Sequence, residues 1–338
     1  MAAIFRLLKM QYTPPLDPQG ASFAGKIVIL TGATSGLGFE AAIKILNLGV
    51  ESLIIGSRSI EKGNKAKVDL ERATNRRNVV KVWQLEMNSF QSVKDFAERV
   101  HVELDRVDVA LLNAGLWNRE YYQSSEGWEE TLQVNTLSTL MLAILLLPKL
   151  KKSSYVDNPT HLTLVSSQQF VRVKPASIQT DGSILAYVND PDNFNGPKQY
   201  GISKLLLEIV IKKIANIVYN DDGTHTLVVN TVSPGLCISA LGRKYSHWWE
   251  KCIVWVMHTF FARTTEQGSR SLVSATLQSL ESQGKCWRSE GYLDESTALT
   301  TILEGEELQE KAWEEIIAVL EEQAPEVSLV ARGLYQGV

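Results

Sequence analysis

Tyr200 and Lys204 stand four residues apart in Lys198-Gln199-Tyr200-Gly201-Ile202-Ser203-Lys204, where a long apolar stretch with helical spacing begins. On a helix that interval puts the phenol and the ammonium on one face. A nearby ammonium favours the phenolate, so the tyrosine is expected to titrate below its usual pKa of about 10. A tyrosine tuned in this way exchanges a proton with a substrate oxygen near neutral pH. The interval is common by chance, and an ordinary surface pair on a helix carries the same signature. Its meaning depends on the rest of the chain.

A second chemical feature lies near the N-terminus. The apolar run Ile27-Val28-Ile29-Leu30 leads into Thr31-Gly32-Ala33-Thr34-Ser35-Gly36-Leu37-Gly38 and then into a helical pattern. Glycines there allow tight turning and close approach of a ligand to the backbone, and a helix start supplies unpaired N–H groups and a positive dipole. Together these make a phosphate cradle. The spacing is Gly-x3-Gly-x-Gly rather than Gly-x-Gly-x2-Gly, so the strand–turn–helix context carries the nucleotide reading. The next apolar run ends in Gly56-Ser57-Arg58, without the acidic residue that would hold a ribose 2′-hydroxyl. Arg58 instead offers a guanidinium to a 2′-phosphate, with Lys62 and Lys65 close behind it. The expected cofactor is NADP(H), ahead of NAD(H).

The elements that must position these groups follow from the hydrophobic pattern. Short apolar runs at 26–31, 53–57, 79–85, 107–113, 161–166 and 225–232 read as strands, and they alternate with helical patterns at 36–48, 60–76, 89–104, 129–150 and 199–219. Near-continuous apolar strands separated by helices indicate a parallel sheet covered on both faces. Right-handed crossovers give it a doubly wound α/β architecture. No repeat, low-complexity tract or linker interrupts the pattern, so one domain is expected.

Composition bounds the remaining functions. The 338 residues carry a net charge of −4, with 44% hydrophobic and 21% charged residues, which gives no basic footprint for nucleic acid. Cys237, Cys252 and Cys286 show no paired spacing, and the five histidines form no ligand motif. Neither a disulfide framework nor a metal site is expected, and a reducing, cytoplasmic setting is. The longest apolar runs, at 140–147 and 252–261, fall short of the roughly 18 residues of a membrane span. Residues 1–10 mix Ile4, Phe5, Leu7 and Leu8 with Arg6 and Lys9, too broken a run for a secretory signal. They read as a docked or disordered tail, with weak membrane contact as the lesser reading.

Taken in order, these motifs resemble those of the short-chain dehydrogenase/reductase family over residues 24–290. The turn at 31–38 is similar to the family's cofactor turn, which would set Gly32, Thr34, Ser35, Gly36, Leu37 and Gly38 against a dinucleotide, followed by Ser57 and Arg58. Leu85-Glu86-Met87 stands where the family usually has an Asp between apolar residues beside the adenine, and Glu86 is a longer acid. Asn113-Ala114-Gly115 matches the Asn-Ala-Gly after the fourth strand, with Leu112 in place of the usual first Asn. Asn135, in Val134-Asn135-Thr136, matches the tetrad asparagine, and Ser167, the second residue of Ser166-Ser167, the tetrad serine. Tyr200 and Lys204 match the Tyr-x3-Lys pair. Pro234 and Gly235 follow the sixth strand, and Ser239 stands where a Thr commonly contacts the nicotinamide amide.

The resemblance implies a Rossmann-type sheet and hydride transfer between a nicotinamide and a carbonyl or alcohol carbon. It makes Tyr200 the general acid or base. Lys204 would lower the Tyr200 pKa and hold the nicotinamide ribose, Ser167 would orient the substrate oxygen, and Asn135 would hold a water linking Lys204 to solvent. Family dimers often pair through long helices such as 129–150 and 199–219, so monomer and homodimer both stand.

Two stretches depart from the common pattern. Residues 168–198 make an unusually long approach from Ser167 to Tyr200, similar to that of retinol-dehydrogenase-like and fungal secondary-metabolism members, and are expected to form one wall of the substrate pocket. Residues 236–263 are dense in aromatics, including Trp248, Trp249 and Trp255, and are expected to be a lid over a large apolar pocket. Trp117 is placed to reach that pocket, while Trp83, Trp128, Trp287 and Trp313 read as packing. Residues 1–23 and 291–338 are taken as extensions, the latter with an exposed amphipathic helix at 306–322. The leading expectation is an NADPH-dependent ketoreductase for a bulky apolar ketone, such as a polyketide or terpenoid intermediate. The alternatives are an oxidative NAD(P)-dependent alcohol dehydrogenase of retinol or steroid type and a non-catalytic nucleotide sensor.

Overall fold

The computed structural model describes residues 12–18, 20–178, 181–219, 225–238, 241 and 261–333. Its strands are β1 (Ile27–Thr31), β2 (Ser52–Ser57), β3 (Val80–Gln84), β4 (Val109–Leu112), β5 (Thr160–Val165), β6 (Leu227–Val232), β7 (Cys286–Arg288) and β8 (Gly291–Tyr292). Among the described residues they form one sheet in the order β3-β2-β1-β4-β5-β6-β7-β8. Pairing is parallel from β3 through β7, and β8 turns back antiparallel on β7. The six strands read from apolar runs are all present. β7 and β8 were not legible, because three and two residues are too short to show a period.

The helices are α1 (Gly36–Asn47), α2 (Ile60–Thr74), α3 (Phe90–Glu103), α4 (Glu130–Ser153), α5 (Ile184–Asn189), α6 (Gly196–Ile217), α7 (Thr265–Ala275), α8 (Glu306–Gln323) and α9 (Glu326–Ala331). Every residue of β1 is buried, and its side chains alternate between two cores. Val28 and Leu30 pack with α1, α2 and α7, whereas Ile27 and Ile29 pack with α3, α4 and α6. That is the two-sided cover that near-continuous apolar strands require. α4 is long and apolar enough to cross a membrane by length and composition, beyond what the run at 140–147 suggested, and 89% of its apolar window is buried inside the protein.

Residues 12–18 and the last two helices close over this frame. Residues 12–18 lie against α7 and the β7–β8 turn, with Arg270 donating to the Pro15 carbonyl at 3.1 Å and the Leu16 N–H donating to Glu290 at 2.8 Å. α8, expected as an exposed amphipathic helix, turns one apolar stripe, Leu308, Ala312, Ile316 and Leu320, spaced four apart, into the core over α5 and α6, and α9 covers α4. Removing residues 306–338 therefore uncovers the outer faces of α4 and α6. Three large side chains at about 1.5–3 kcal/mol each predict a loss of several kcal/mol. The expected result is a lower midpoint of thermal unfolding together with dye-binding, self-associating protein on size exclusion. A truncated chain as stable and monodisperse as the full one would contradict it.

Candidate active site

The chain leaves β1 toward the α1 side of the sheet and leaves β4 toward the α4 side. Adjacent strands that diverge in this way open a crevice at their carboxyl ends. A cleft of about 1310 Å³ lies there. It is lined by Gly32, Thr34, Ser35, Gly36, Leu37 and Gly38 from the first turn, and by Ser57, Arg58, Glu86 and Met87 at one end. Asn113, Ala114, Gly115, Trp117, Asn135, Ser167, Tyr200, Lys204, Pro234 and Gly235 line the rest. Ser239, Trp248, Trp249 and Trp255 lie outside the described residues.

The glycine turn is braced from β4. The backbone N–H groups of Asn113 and Ala114 each donate to Thr31 Oγ1 at 2.9 Å, and Asn113 Nδ2 donates to the carbonyls of Thr31 (3.0 Å) and Gly32 (3.1 Å). A Cβ at Gly38 would lie 2.3 Å from the Gly32 carbonyl oxygen. At Gly36, with φ of +62°, a Cβ would meet nothing within 4 Å. The first turn of α1 holds no acidic residue, and Ser35 at its N-cap makes no side-chain cap. Unpaired N–H groups and a positive helix end thus face open space of the kind a pyrophosphate fills. The residues present fit a dinucleotide.

At the far end the details differ from expectation. Ser57 turns its hydroxyl away, donating to the Ser59 carbonyl at 2.7 Å. Glu86 folds back on its own loop, accepting from the Asn88 N–H at 3.0 Å, and lies 3.7 Å from Arg58. An exposed pair of that length is worth under about 1 kcal/mol, so the Arg58 guanidinium can be drawn off by a phosphate. Lys65 lines the same edge and pairs with Asp69 at 2.8 Å. Met87 is buried beneath it.

The proton-transfer end is set by α6. Asn195 caps it, accepting from the Lys198 N–H at 3.2 Å, and Pro197 occupies its first turn. This start places Tyr200 and Lys204 one turn apart on the cleft side. The Ser167 hydroxyl lies close enough to the Tyr200 hydroxyl to act on its proton affinity. Lys204 is 5% exposed and its Nζ donates to the Val165 carbonyl at 2.8 Å. Asn135 sits in a π-helical turn, Gln133–Ser138, within α4, a local widening common at functional sites. Its Oδ1 accepts from the Leu116 N–H at 2.9 Å, and its Nδ2 donates to the Leu116 carbonyl at 2.8 Å and to Ser203 Oγ at 3.2 Å. A Cβ at Gly115 would lie 3.1 Å from Asn135 Oδ1 and 3.9 Å from Lys204 Nζ, so glycine keeps the passage between them clear.

The electrostatics correct one expectation. Tyr200 is not tuned below its usual range. Burial pushes it up to about 12, against the downward pull of the Ser167 hydroxyl. Lys204 is itself pushed down by burial to about 8, with Glu208 pulling it up. Helical spacing placed the two groups together, but their desolvation depends on everything packed around them and leaves no trace in the spacing.

Trp117 lies over the tyrosine, with ring centroids 5.7 Å apart, and its Nε1 donates to the Gly196 carbonyl at 3.0 Å. The long approach at 168–198 does less at the cleft than expected. Gln168, Gln169 and Pro197 line it, but Phe170, Ile184, Leu185 and Val188 turn into the core. Glu315 of α8 pins the start of α5, accepting from the Ile184 and Leu185 N–H groups at 2.9 Å each. Past Gly235 the described ends of the second departure are tied together, with the Ile238 N–H donating to the Arg263 carbonyl and the Arg263 N–H to the Leu236 carbonyl, both at 2.8 Å. Buried Glu208 was missed by sequence reasoning. Its signal was a lone acid inside Leu205-Leu206-Leu207-Glu208-Ile209-Val210-Ile211.

Known proteins share this arrangement of elements. The sequence profile described as short chain dehydrogenase matches residues 26–157. The short-chain dehydrogenase/reductase phmF of Phaeosphaeria nodorum is 40% identical over 98% of this chain and 96% of its own. The short-chain dehydrogenase/reductase ffsI of Aspergillus flavipes is 40% identical over 93% of this chain and 91% of its own. A short chain dehydrogenase from Shigella flexneri, solved in complex with NADP, covers 79% of this chain and 98% of its own with a TM-score of 0.57 at 21% identity, a likeness of fold. With such relatives aligned from end to end, the chain belongs to the short-chain dehydrogenase/reductase family, NAD(P)-binding oxidoreductases that act on alcohol and carbonyl groups.

Proposed function

We propose that this protein is an NADPH-dependent ketoreductase that delivers hydride to the ketone carbon of a bulky, largely apolar substrate. The observation that carries this reading is the convergence of Ser167, Tyr200, Lys204 and Asn135 at one end of a cleft whose other end is edged by Arg58, Lys62 and Lys65. A bound nicotinamide supplies the hydride. Ser167 and Tyr200 present hydroxyls to the ketone oxygen, where negative charge grows in the transition state. Tyr200 then gives that oxygen its proton. A phenol held up to about 12 is protonated across the physiological range, the state a general acid needs in the reductive direction. Lys204, held near about 8, gains and loses a proton readily and resupplies Tyr200 along the passage toward Asn135.

Arg58 and the absence of an acid at the end of β2 support NADPH over NADH. Trp117, the apolar residues Leu236 and Leu241 at the cleft, and the aromatic density of 236–263 support an apolar substrate. The fungal origin of phmF and ffsI supports a polyketide or terpenoid intermediate. Buried free thiols at Cys237 and Cys286 support a cytoplasmic setting, and the cover of α4 and α6 by α9 and α8 supports a monomer. The test is cofactor consumption, followed by absorbance, with a panel of aromatic and alicyclic ketones. NADPH should be used in preference to NADH, and Arg58→Ala should cut that preference about tenfold, the worth of one charged hydrogen bond. Alcohol oxidation with NAD and no ketone reduction with NADPH would sink the reading.

A further inference from the structure

A buried acid outside the reaction centre joins the two helices that carry Asn135 and Tyr200. Glu129 is 0% exposed and sits at the N-cap of α4. Its Oε1 accepts from the Thr131 N–H and its Oε2 from the Leu132 N–H, both at 2.9 Å. Its Oε2 also accepts, at 2.8 Å, from Nε2 of Gln199, a buried residue at the end of the first turn of α6. Gln199 Nε2 donates as well to the Val188 carbonyl of α5 at 3.1 Å. The Glu129 N–H donates to Asn189 Oδ1, at the end of α5, at 2.7 Å, and the Tyr121 hydroxyl donates to the Asn189 carbonyl at 2.9 Å. A cap alone needs only a short acceptor such as Ser or Asp. The longer Glu, with a third donor from another helix, makes a joint, and those donors offset the cost of burying its carboxylate.

The place of the joint gives it a role. Gln199 immediately precedes Tyr200, and Asn135 follows Glu129 by six residues. The N–H groups of a helix's first turn have no intrahelical partners, so that turn frays unless something holds it. Residues 117–129 hold the first turn of α6 at two points, through Trp117 Nε1 on the Gly196 carbonyl and through Glu129 on Gln199. A Cβ at Gly196 would lie 2.8 Å from Arg119 Cα, so the two backbones are in contact there. One turn further along α6, Asn135 Nδ2 bonds Ser203 Oγ and Thr136 Oγ1 bonds the Ser203 carbonyl, which continues the same seam. We propose that Glu129 and Gln199 are positioning residues: their buried hydrogen bond sets α6 against α4 and so holds the Tyr200 hydroxyl where the substrate oxygen meets it. The proposal rests on the role given to Tyr200 above. Through Val188 and Asn189, the long approach from Ser167 then braces the tyrosine.

The test is single-turnover reduction by the full chain with NADPH and the panel ketone that is reduced fastest, with KM, NADPH binding and unfolding midpoints measured alongside. Gln199→Met keeps the length of the side chain and the cap on α4, and removes only the third donor. It should cut the reduction rate about 10–100-fold, as when a catalytic group is held about 1 Å out of place, with KM for the ketone and NADPH affinity within about twofold of native. Glu129→Gln should lose rate in the same way and also lower the unfolding midpoint, since its amide would meet a backbone N–H. Gln199→Met carries the test if that variant does not fold. The deciding arm repeats Gln199→Met in a Tyr200→Phe chain. With no hydroxyl left to position, the further loss of rate should vanish. A native rate for Gln199→Met would overturn this inference alone, and so would an equal fold-loss in both backgrounds, the mark of a merely structural bond. A Tyr200→Phe chain that turns over like the native one would sink the parent reading and this inference with it.

Discussion

Tyr200→Phe is expected to cut kcat by about 10²–10⁴-fold while NADPH still binds. The substitution removes only the hydroxyl near Ser167. It keeps the ring that meets Trp117 at 5.7 Å, so the walls of the cleft persist. Ser167 remains as a hydrogen-bond donor to the substrate oxygen but has no proton to give at neutral pH. The oxygen that accepts hydride would then draw its proton from water or from Lys204, whose Nζ is turned to the Val165 carbonyl. Single-turnover reduction and a fluorescence titration with NADPH separate the two effects. Turnover near that of the native chain would remove Tyr200 from the chemistry. Lost cofactor binding with an intact fold would make it a binding residue only. A non-catalytic sensor would keep its response to the cofactor in this variant and would show no turnover in the native chain.

Gly38→Ala should be nearly as damaging, by a different route. The new methyl would lie 2.3 Å from the Gly32 carbonyl oxygen and 2.6 Å from Asn113 Nδ2. Neither can yield, because Asn113 Nδ2 donates to that carbonyl and to the one before it. The turn must open, at about 1–3 kcal/mol of overpacking. The N–H groups of α1 then lose their aim, and NADPH affinity should fall about a hundredfold or more. Gly36→Ala is the control. Its methyl meets nothing, so only the strain of φ at +62°, about 1 kcal/mol, enters the stability. Thermal unfolding and NADPH titration of both variants decide the matter. A Gly38→Ala protein that binds NADPH like the native chain would contradict the account of the turn.

Much of this frame could be read from the chain before folding, and the reason is local. The β1–α1 turn depends on where glycines fall, and β2, β4 and β6 are buried along their whole length, so apolar runs mark them. The groups that could not be read depend on distant partners. Ile184, Leu185 and Val188 lie in the stretch expected to wall the pocket, but α8 covers α5 and they turn into the core, as Phe170 does beneath α6. Glu86 lines the cleft where an adenine contact is expected, but what its carboxylate meets there, Arg58 and the Asn88 N–H, is set by partners outside its own run. The proton affinity of Tyr200 depends on desolvation, which only the assembled cleft sets.

The pairing of residues 236–238 with Arg263 has an evolutionary consequence. Arg263 also donates to Ser289 Oγ at 3.0 Å and to the Thr13 carbonyl at 3.2 Å, so the junction is anchored to the β7–β8 turn and to the N-terminal segment. Clamps of this kind fix where the intervening residues begin and end, and closing a flexible connection between two fixed points costs only about 0.6 kcal/mol more for each doubling of its length. A lineage built on this scaffold can therefore change the number of residues between these two anchors at little cost to the anchors themselves, while the glycine turn and Tyr200 are inherited unchanged.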